Sequence, residues 1–197
     1  WGEDRAPRRD WNDTFIYEAH VKGLTELHPD VPAALRGTYA AFTRPDSNGM
    51  RHLRDLQKAG LTHVQLLPVF DIATIDEDPA RRINLDDPFA KLCDLSDQAR
   101  QRWAQYCSAA SIRQVLEGFD PASGQAQSLY NDLRGLDDFN WGYDPFHFTA
   151  PEGSYASNAE GEQRIIEFRQ MVQALAGNGL ATVMDVVYNH TNASGLA

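Results

Sequence analysis

The sequence predicts an α/β fold built on a parallel sheet. Three short segments rich in β-branched and aromatic residues, 14–21, 62–68 and 181–190, have the length and composition of strands. Helical periodicity between them, at about 50–59 and 160–176, predicts helices that end at glycine. A strand followed by a helix and another strand is typical of right-handed crossover units, in which neighbouring strands run parallel.

The third predicted strand, 181–190, organises the rest of the chain. Its apolar run predicts a strand buried on both faces, and the run ends in Asn189 and His190. The carboxyl edge of a parallel sheet is where α/β folds place their binding sites. Asp185 lies inside the same apolar run, where a carboxylate must be hydrogen-bonded or paired, so we expect an internal brace rather than a catalyst.

Three strands do not close a hydrophobic core by themselves. The third strand would be left as a long apolar edge, a configuration that proteins avoid. We therefore expect the first part of a larger α/β domain. The pattern leaves open whether that domain is a doubly wound sheet or an eightfold barrel.

The remaining regions divide into a tail and an insertion. Residues 1–13 are polar and contain proline and arginine, which predicts a linker or the tail of a preceding module. The segment of about 71–140 is rich in Asp, Arg, Gln and Ser, with weak helical stretches at 95–106 and 111–118. Its place after the second strand predicts a long insertion at the carboxyl edge of the sheet.

Charge and cysteine content limit the classes of partner. With a net charge of -10, the chain lacks the Lys/Arg surplus that nucleic acid requires, and a neutral or cationic ligand fits better. No stretch approaches the roughly 18 apolar residues of a membrane span. The only cysteines, Cys93 and Cys107, could form a disulfide or remain two thiols, and the sequence favours neither alternative.

Polar and aromatic residues near the predicted strand ends are candidates for ligand binding. Asn189 and His190 offer directional donors and acceptors, with a capping or turn role as the alternative. Trp141 and Tyr143 flank a glycine and could present their faces to sugar rings or simply pack within the loop. Asp144 could accept hydrogen bonds from sugar hydroxyl groups.

Taken together, these motifs resemble the α-amylase superfamily, glycoside hydrolase family 13. Residues 185–190, Asp-Val-Val-Tyr-Asn-His, are similar to its first signature region, which lies on the third strand of a TIM (β/α)8 barrel. Segments 17–21 and 60–71 resemble the first and second strands of that barrel. The turn 140–145, Asn-Trp-Gly-Tyr-Asp-Pro, followed by 151–156, resembles the debranching branch, the type I pullulanases and plant limit dextrinases.

The resemblance covers residues 14–197 and implies that they form the N-terminal portion of a catalytic barrel. It also implies that Tyr143 stacks on the glucose at the cleaved bond and that His190 hydrogen-bonds the same sugar. Asp144 would support that subsite. Asn189 matches a position that serves calcium binding or loop bracing in some relatives, so its role stays open. The resemblance implies no required cofactor and is compatible with a structural calcium ion.

The resemblance further implies hydrolysis of α-1,6-glucosidic branch bonds in pullulan, glycogen or limit dextrins. Retaining glycosidases need two carboxylates, which in this family lie on later strands. No acidic residue here matches them, so we assign no catalytic residue and expect the isolated chain to be inactive.

Other functions remain as alternatives. They are a branching or transferring enzyme of the same superfamily, a non-catalytic glucan-binding module, and an unrelated doubly wound protein, which would lack the usual G-x-G-x-x-G phosphate loop. The implied partner is an α-glucan polysaccharide or oligosaccharide. The secretion habit of the family and the cysteine pair favour an extracellular, cell-surface or periplasmic location.

Overall fold

A computed structural model describes residues 5–193 of the chain. Its elements in chain order are β1 (Ile16–Ala19), α1 (Val21–Thr25), α2 (Asn48–Lys58), β2 (His63–Leu66), α3 (Phe89–Leu95), α4 (Asp97–Arg102), α5 (Ile112–Glu117), α6 (Gln125–Leu133), α7 (Gln163–Gly177) and β3 (Ala181–Met184). They form two compact units. The sheet unit contains the residues up to Ala73 and from Trp141 onward, and the insert unit is Thr74–Asn140. Within residues 5–193, no helix combines the length and apolar character needed to cross a membrane.

The sheet unit is built on three parallel strands in the order β1-β2-β3. Ile16 is aligned with His63, and His63 with Ala181, so the three strands start level with one another. Their carboxyl ends therefore lie along one edge of the sheet. The central strand is the most buried, because Val64 and Leu66 face the core. The mixed α/β class expected from the sequence is confirmed.

The third strand is shorter and less buried than the sequence predicts. Its pairing with β2 ends at Met184, and the residues from 185 to 190 continue without strand assignment. Among the described residues β3 pairs with β2 alone, so its outer side is only half-buried. Tyr188, expected within a strand buried on both faces, is 66% exposed. That part of the prediction is wrong, because β3 ends at Met184 and Tyr188 lies beyond it.

Helix α7 covers the sheet unit with a narrower apolar face than its sequence suggests. Met171 and Leu175 are fully buried, as expected for core residues. Phe168 is half-buried and meets the ring of the buried Tyr39 edge-on, with ring centroids 5.5 Å apart. Ile165, on the same helix, is 40% exposed. The carboxylate of Glu167 on this helix is buried, and it accepts hydrogen bonds from Ser157 and Gln163.

A two-stranded stem leads out of the sheet unit and back into it. Antiparallel bridges join Phe70 with Pro151 and Ile72 with Pro145. The Ala73 amide donates to the Asp144 carbonyl at 3.0 Å, closing the stem at its far end. The stem is therefore held by backbone hydrogen bonds within the sheet unit.

The insert unit has a hydrophobic core of its own. Its core includes Phe89 from α3, Trp103 directly after α4, and Leu129 from α6. Cys93 and Cys107 form a disulfide across part of this core. Two of the helices, α4 and α5, lie within the stretches of helical character seen in the sequence, whereas α3 and α6 were not predicted. The partly helical insertion that the sequence suggests at about 71–140 corresponds to a compact unit with a core of its own.

Candidate functional site

The turn that carries Trp141 and Tyr143 is seated over the end of β2. Gly142 between them has φ +88°, a conformation that favours glycine. A Cβ added there would lie 2.4 Å from the carbonyl oxygen of Pro68, which follows β2. The backbone of the turn therefore approaches the strand end more closely than any other residue would allow. This contact fixes the position of both aromatic residues at the carboxyl edge of the sheet.

Tyr143 is held at two points by the segment that follows β3. Its hydroxyl group donates a hydrogen bond to Oδ2 of Asp185 at 2.7 Å. Its backbone carbonyl oxygen lies 2.7 Å from Nε2 of His190. A carbonyl oxygen only accepts, so this ring nitrogen carries the hydrogen, and in the neutral imidazole Nδ1 is an acceptor. The ring of Tyr143 remains 43% exposed.

Electrostatics keep the phenol of Tyr143 neutral. The hydrogen bond to Asp185, followed by partial burial and the negative charges of Asp185 and Glu18, raises the pKa of Tyr143 to about 12. All of these effects disfavour a phenolate. A tyrosine is already uncharged at neutral pH, and the raised pKa extends that state into alkaline solution. The uncharged aromatic face suits packing against the apolar C–H face of a sugar ring.

Trp141 lies beside a histidine that the sequence analysis did not assign to the site. The indole is 59% exposed and meets the ring of His20 edge-on, with centroids 6.1 Å apart. His20 follows β1, its Nδ1 accepts from the Gly23 amide, and its Nε2 lies 3.1 Å from the hydroxyl of the buried Tyr155. Its position at the end of the first strand was the signal that could have identified it.

The structure brings the predicted site residues to one edge of the sheet. Trp141, Tyr143 and Asp144 share the turn, and His190 reaches that turn from the end of the third strand. Asn189 is exposed next to His190. Asp144 is half-buried, and its backbone helps to close the stem. These positions are compatible with substrate binding, and the individual roles stay predictions.

A second aromatic group at the edge was not found from the sequence. The rings of Phe70, Phe148 and Tyr188 lie with centroids 5.6 to 6.4 Å apart, and Tyr188 is the most exposed of the three. Nearby, the carboxylate of Asp71 accepts from His147 and lies 3.9 Å from the guanidinium of Arg164. The buried Glu152 accepts from the Ile72 and Ser154 amides.

A parallel sheet with exposed aromatic rings and hydrogen-bonding groups at its carboxyl edge is typical of carbohydrate-active α/β enzymes. Comparison with known proteins agrees with this class. A family model described as the pullulanase Ins domain matches residues 72–139. A pullulanase from Klebsiella pneumoniae is 44% identical over 91% of this chain, and chloroplastic pullulanase 1 from Arabidopsis thaliana is 40% identical over 98%.

A solved structure of Klebsiella pneumoniae pullulanase complexed with maltotriose is 42% identical, with a TM-score of 0.86 over 93% of this chain. In sequence and in fold, this chain therefore resembles one segment of the pullulanases. It spans 17% of the length of the two curated pullulanases and 18% of the solved chain.

Proposed function

We propose that the protein to which this chain belongs hydrolyses α-1,6-glucosidic branch bonds in pullulan, glycogen or limit dextrins. This chain forms the first strands of its (β/α)8 barrel and part of the subsite next to the cleaved bond. The observation that carries the proposal is the contact between His190 and Tyr143. These residues are 47 positions apart in the chain and meet at the carboxyl edge of the sheet.

The residues of this chain bind and orient the sugar rather than cleave it. The neutral ring of Tyr143 provides a face for one glucose unit, and Trp141 widens that aromatic surface. His190 uses Nε2 on the protein backbone, which leaves Nδ1 to accept a hydrogen bond from a sugar hydroxyl. Asp144 follows Tyr143 in the chain and Asn189 precedes His190, and both add polar atoms at the carboxyl edge of the sheet.

The bond-breaking step belongs to two carboxylates elsewhere in the protein. A retaining glycosidase uses one carboxylate as the nucleophile and the other first as acid and then as base. What this chain contributes is position, and holding the reacting sugar correctly is itself a large part of catalysis. The chemistry uses no cofactor, and any calcium ion would be structural. We also propose that the protein acts outside the cytoplasm, with the disulfide of Cys93 and Cys107 in keeping with an oxidising compartment.

The direct test incubates the full-length protein with pullulan and separates the products by chromatography. Hydrolysis of the α-1,6 bonds releases maltotriose. A branching or transferring enzyme would release none, and a non-catalytic glucan-binding module would bind the polymer without any product.

Two variants locate the activity at this site. Tyr143→Ala removes the aromatic face, worth about 1.5 to 3 kcal/mol of apolar contact, so kcat/KM should fall by about 10- to 100-fold. Tyr130→Ala is the matched control, because Tyr130 is similarly exposed but lies on α6 of the insert unit. Equal losses of kcat/KM in the two variants would show that Tyr143 is not part of the binding site.

A further inference from the structure

We infer, on the basis of the function proposed above, that Asp185 is a positioning residue that orients the sugar-binding face of Tyr143. It does so from the end of β3 by accepting the hydrogen bond of the phenol hydroxyl. Asp185 therefore acts through another side chain and is not assigned to the chemistry.

The geometry shows why such a residue is needed. Tyr143 is 43% exposed, so packing within the described residues covers only part of its side chain. An exposed side chain changes rotamer within nanoseconds, and a ring that must receive a sugar would lose that freedom on binding. Holding the hydroxyl end in advance removes part of this cost, which is the general advantage of preorganisation.

The two contacts from the segment after β3 act on different parts of Tyr143. His190 contacts the backbone carbonyl, whereas Asp185 contacts the far end of the side chain. The close approach of Gly142 to Pro68 already fixes the backbone of the turn. With the backbone fixed, the hydrogen bond at the hydroxyl selects the orientation of the ring.

A carboxylate suits this task better than a neutral acceptor. It accepts but does not donate, so the phenol must be the donor, and a charged acceptor makes the hydrogen bond stronger. The charge of Glu18 also disfavours the phenolate form of Tyr143. His190 faces the backbone carbonyl of Tyr143 rather than its phenol. The raised pKa of Tyr143 agrees with the hydrogen bond and provides a signal by which it can be followed.

The test is a double-mutant cycle in the full-length protein, measured as kcat/KM for pullulan and as affinity for maltotriose. Asp185→Ala removes the acceptor and should reduce both by about tenfold. Asp185→Asn keeps a neutral acceptor and should restore part of the loss. In a Tyr143→Phe background both changes should have little further effect, because the hydroxyl they act through is absent. Losses that simply add would overturn the assignment.

A matched control and a readout independent of activity complete the experiment. Asp86→Asn also removes one negative charge, but Asp86 is exposed in the insert unit and paired with Arg113, so both measurements should stay unchanged. Replacing tyrosines by 3-fluorotyrosine gives a ¹⁹F signal for Tyr143, identified by its absence in Tyr143→Phe. That signal should titrate at higher pH than the signals of exposed tyrosines. Asp185→Asn should lower the pH at which the Tyr143 signal titrates.

The two readouts separate failure of this assignment from failure of the proposed function. If the full-length protein releases no maltotriose but the Tyr143 signal moves in Asp185→Asn, the proposed function is wrong while Asp185 still holds the ring. If maltotriose is released and the titration of Tyr143 is the same in both proteins, Asp185 has no hold on the phenol and is not a positioning residue.

Discussion

Replacing Gly142 by alanine should displace the aromatic turn and reduce activity strongly. The new Cβ would lie 2.4 Å from the Pro68 carbonyl oxygen, about 1 Å inside an ordinary van der Waals contact. The contact is with backbone at the end of β2, which cannot move aside like a flexible side chain. The turn must therefore shift, and a 1 Å misplacement in an active site costs about 10²-fold in rate.

The second penalty at this position comes from the backbone conformation. Gly142 has φ +88°, and an L-residue in such a region costs about 1–3 kcal/mol. Alanine substitutions at two other glycines distinguish the backbone penalty from the steric clash. Gly161→Ala also requires a positive φ, +64°, but its Cβ would meet nothing within 4 Å, and Gly177→Ala at the end of α7 has neither problem.

The assay is kcat/KM for pullulan in the full-length protein, with hydrogen exchange of residues 141–145 as a local structural measurement. We expect a loss of about 10²-fold for Gly142→Ala, little change in activity for Gly161→Ala, and none for Gly177→Ala, because only the first variant moves the turn. Full activity in Gly142→Ala would refute the reasoning. It would mean that the position of the turn does not control the site.

Three further predictions concern buried polar groups and the disulfide. Asp132→Ala should destabilise the insert unit by about 2 kcal/mol, because its carboxylate is 3% exposed and accepts from the indole of Trp103 at 2.8 Å. Cys93→Ser with Cys107→Ser should cost about 3 kcal/mol, as expected for a loop closed across 14 positions. Glu152→Gln should destabilise the sheet unit by about 1–3 kcal/mol, since one amide nitrogen would then face a backbone N–H.

Hydrogen exchange measured unit by unit checks all three, because each change should affect the unit that contains it. Asp120→Ala is a control for Asp132, since Asp120 is exposed. Unchanged protection in the Asp132 or cysteine variants would contradict the assigned roles. For Glu152→Gln, faster exchange confined to the insert unit would be the contradictory result, because Glu152 makes its hydrogen bonds in the sheet unit.

The strands were predictable because their signal is local. Apolar and β-branched residues mark β1, β2 and β3, and glycine marks the ends of the helices. Strand length was overestimated, since a run of suitable residues such as 185–190 becomes a strand only where a neighbour pairs with it. The helices α3 and α6 were not predicted, and their apolar residues pack into the insert unit's own core.

The site was predictable to a similar extent. The sequence marks Trp141 and Tyr143 by residue type and by their place beside a glycine in a turn, and it marks His190 by its position at the end of the predicted third strand. The sequence also indicates that Asp185 needs a partner, but not that the partner is Tyr143, because that contact joins residues 42 positions apart. His20 was missed although it follows β1 at the same edge of the sheet, and its contact with the indole of Trp141 joins residues far apart in the chain.

The backbone stem at Phe70–Pro151 and Ile72–Pro145 has an evolutionary consequence. Everything between its two arms is a loop as far as chain closure is concerned, and doubling the length of a loop costs only about 0.6 kcal/mol in entropy. Insertions and deletions can accumulate within the insert unit, Thr74–Asn140, while the hydrogen bonds of the stem and the contact between Gly142 and Pro68 keep the aromatic turn in place. The insert unit is therefore a natural place to graft a foreign module.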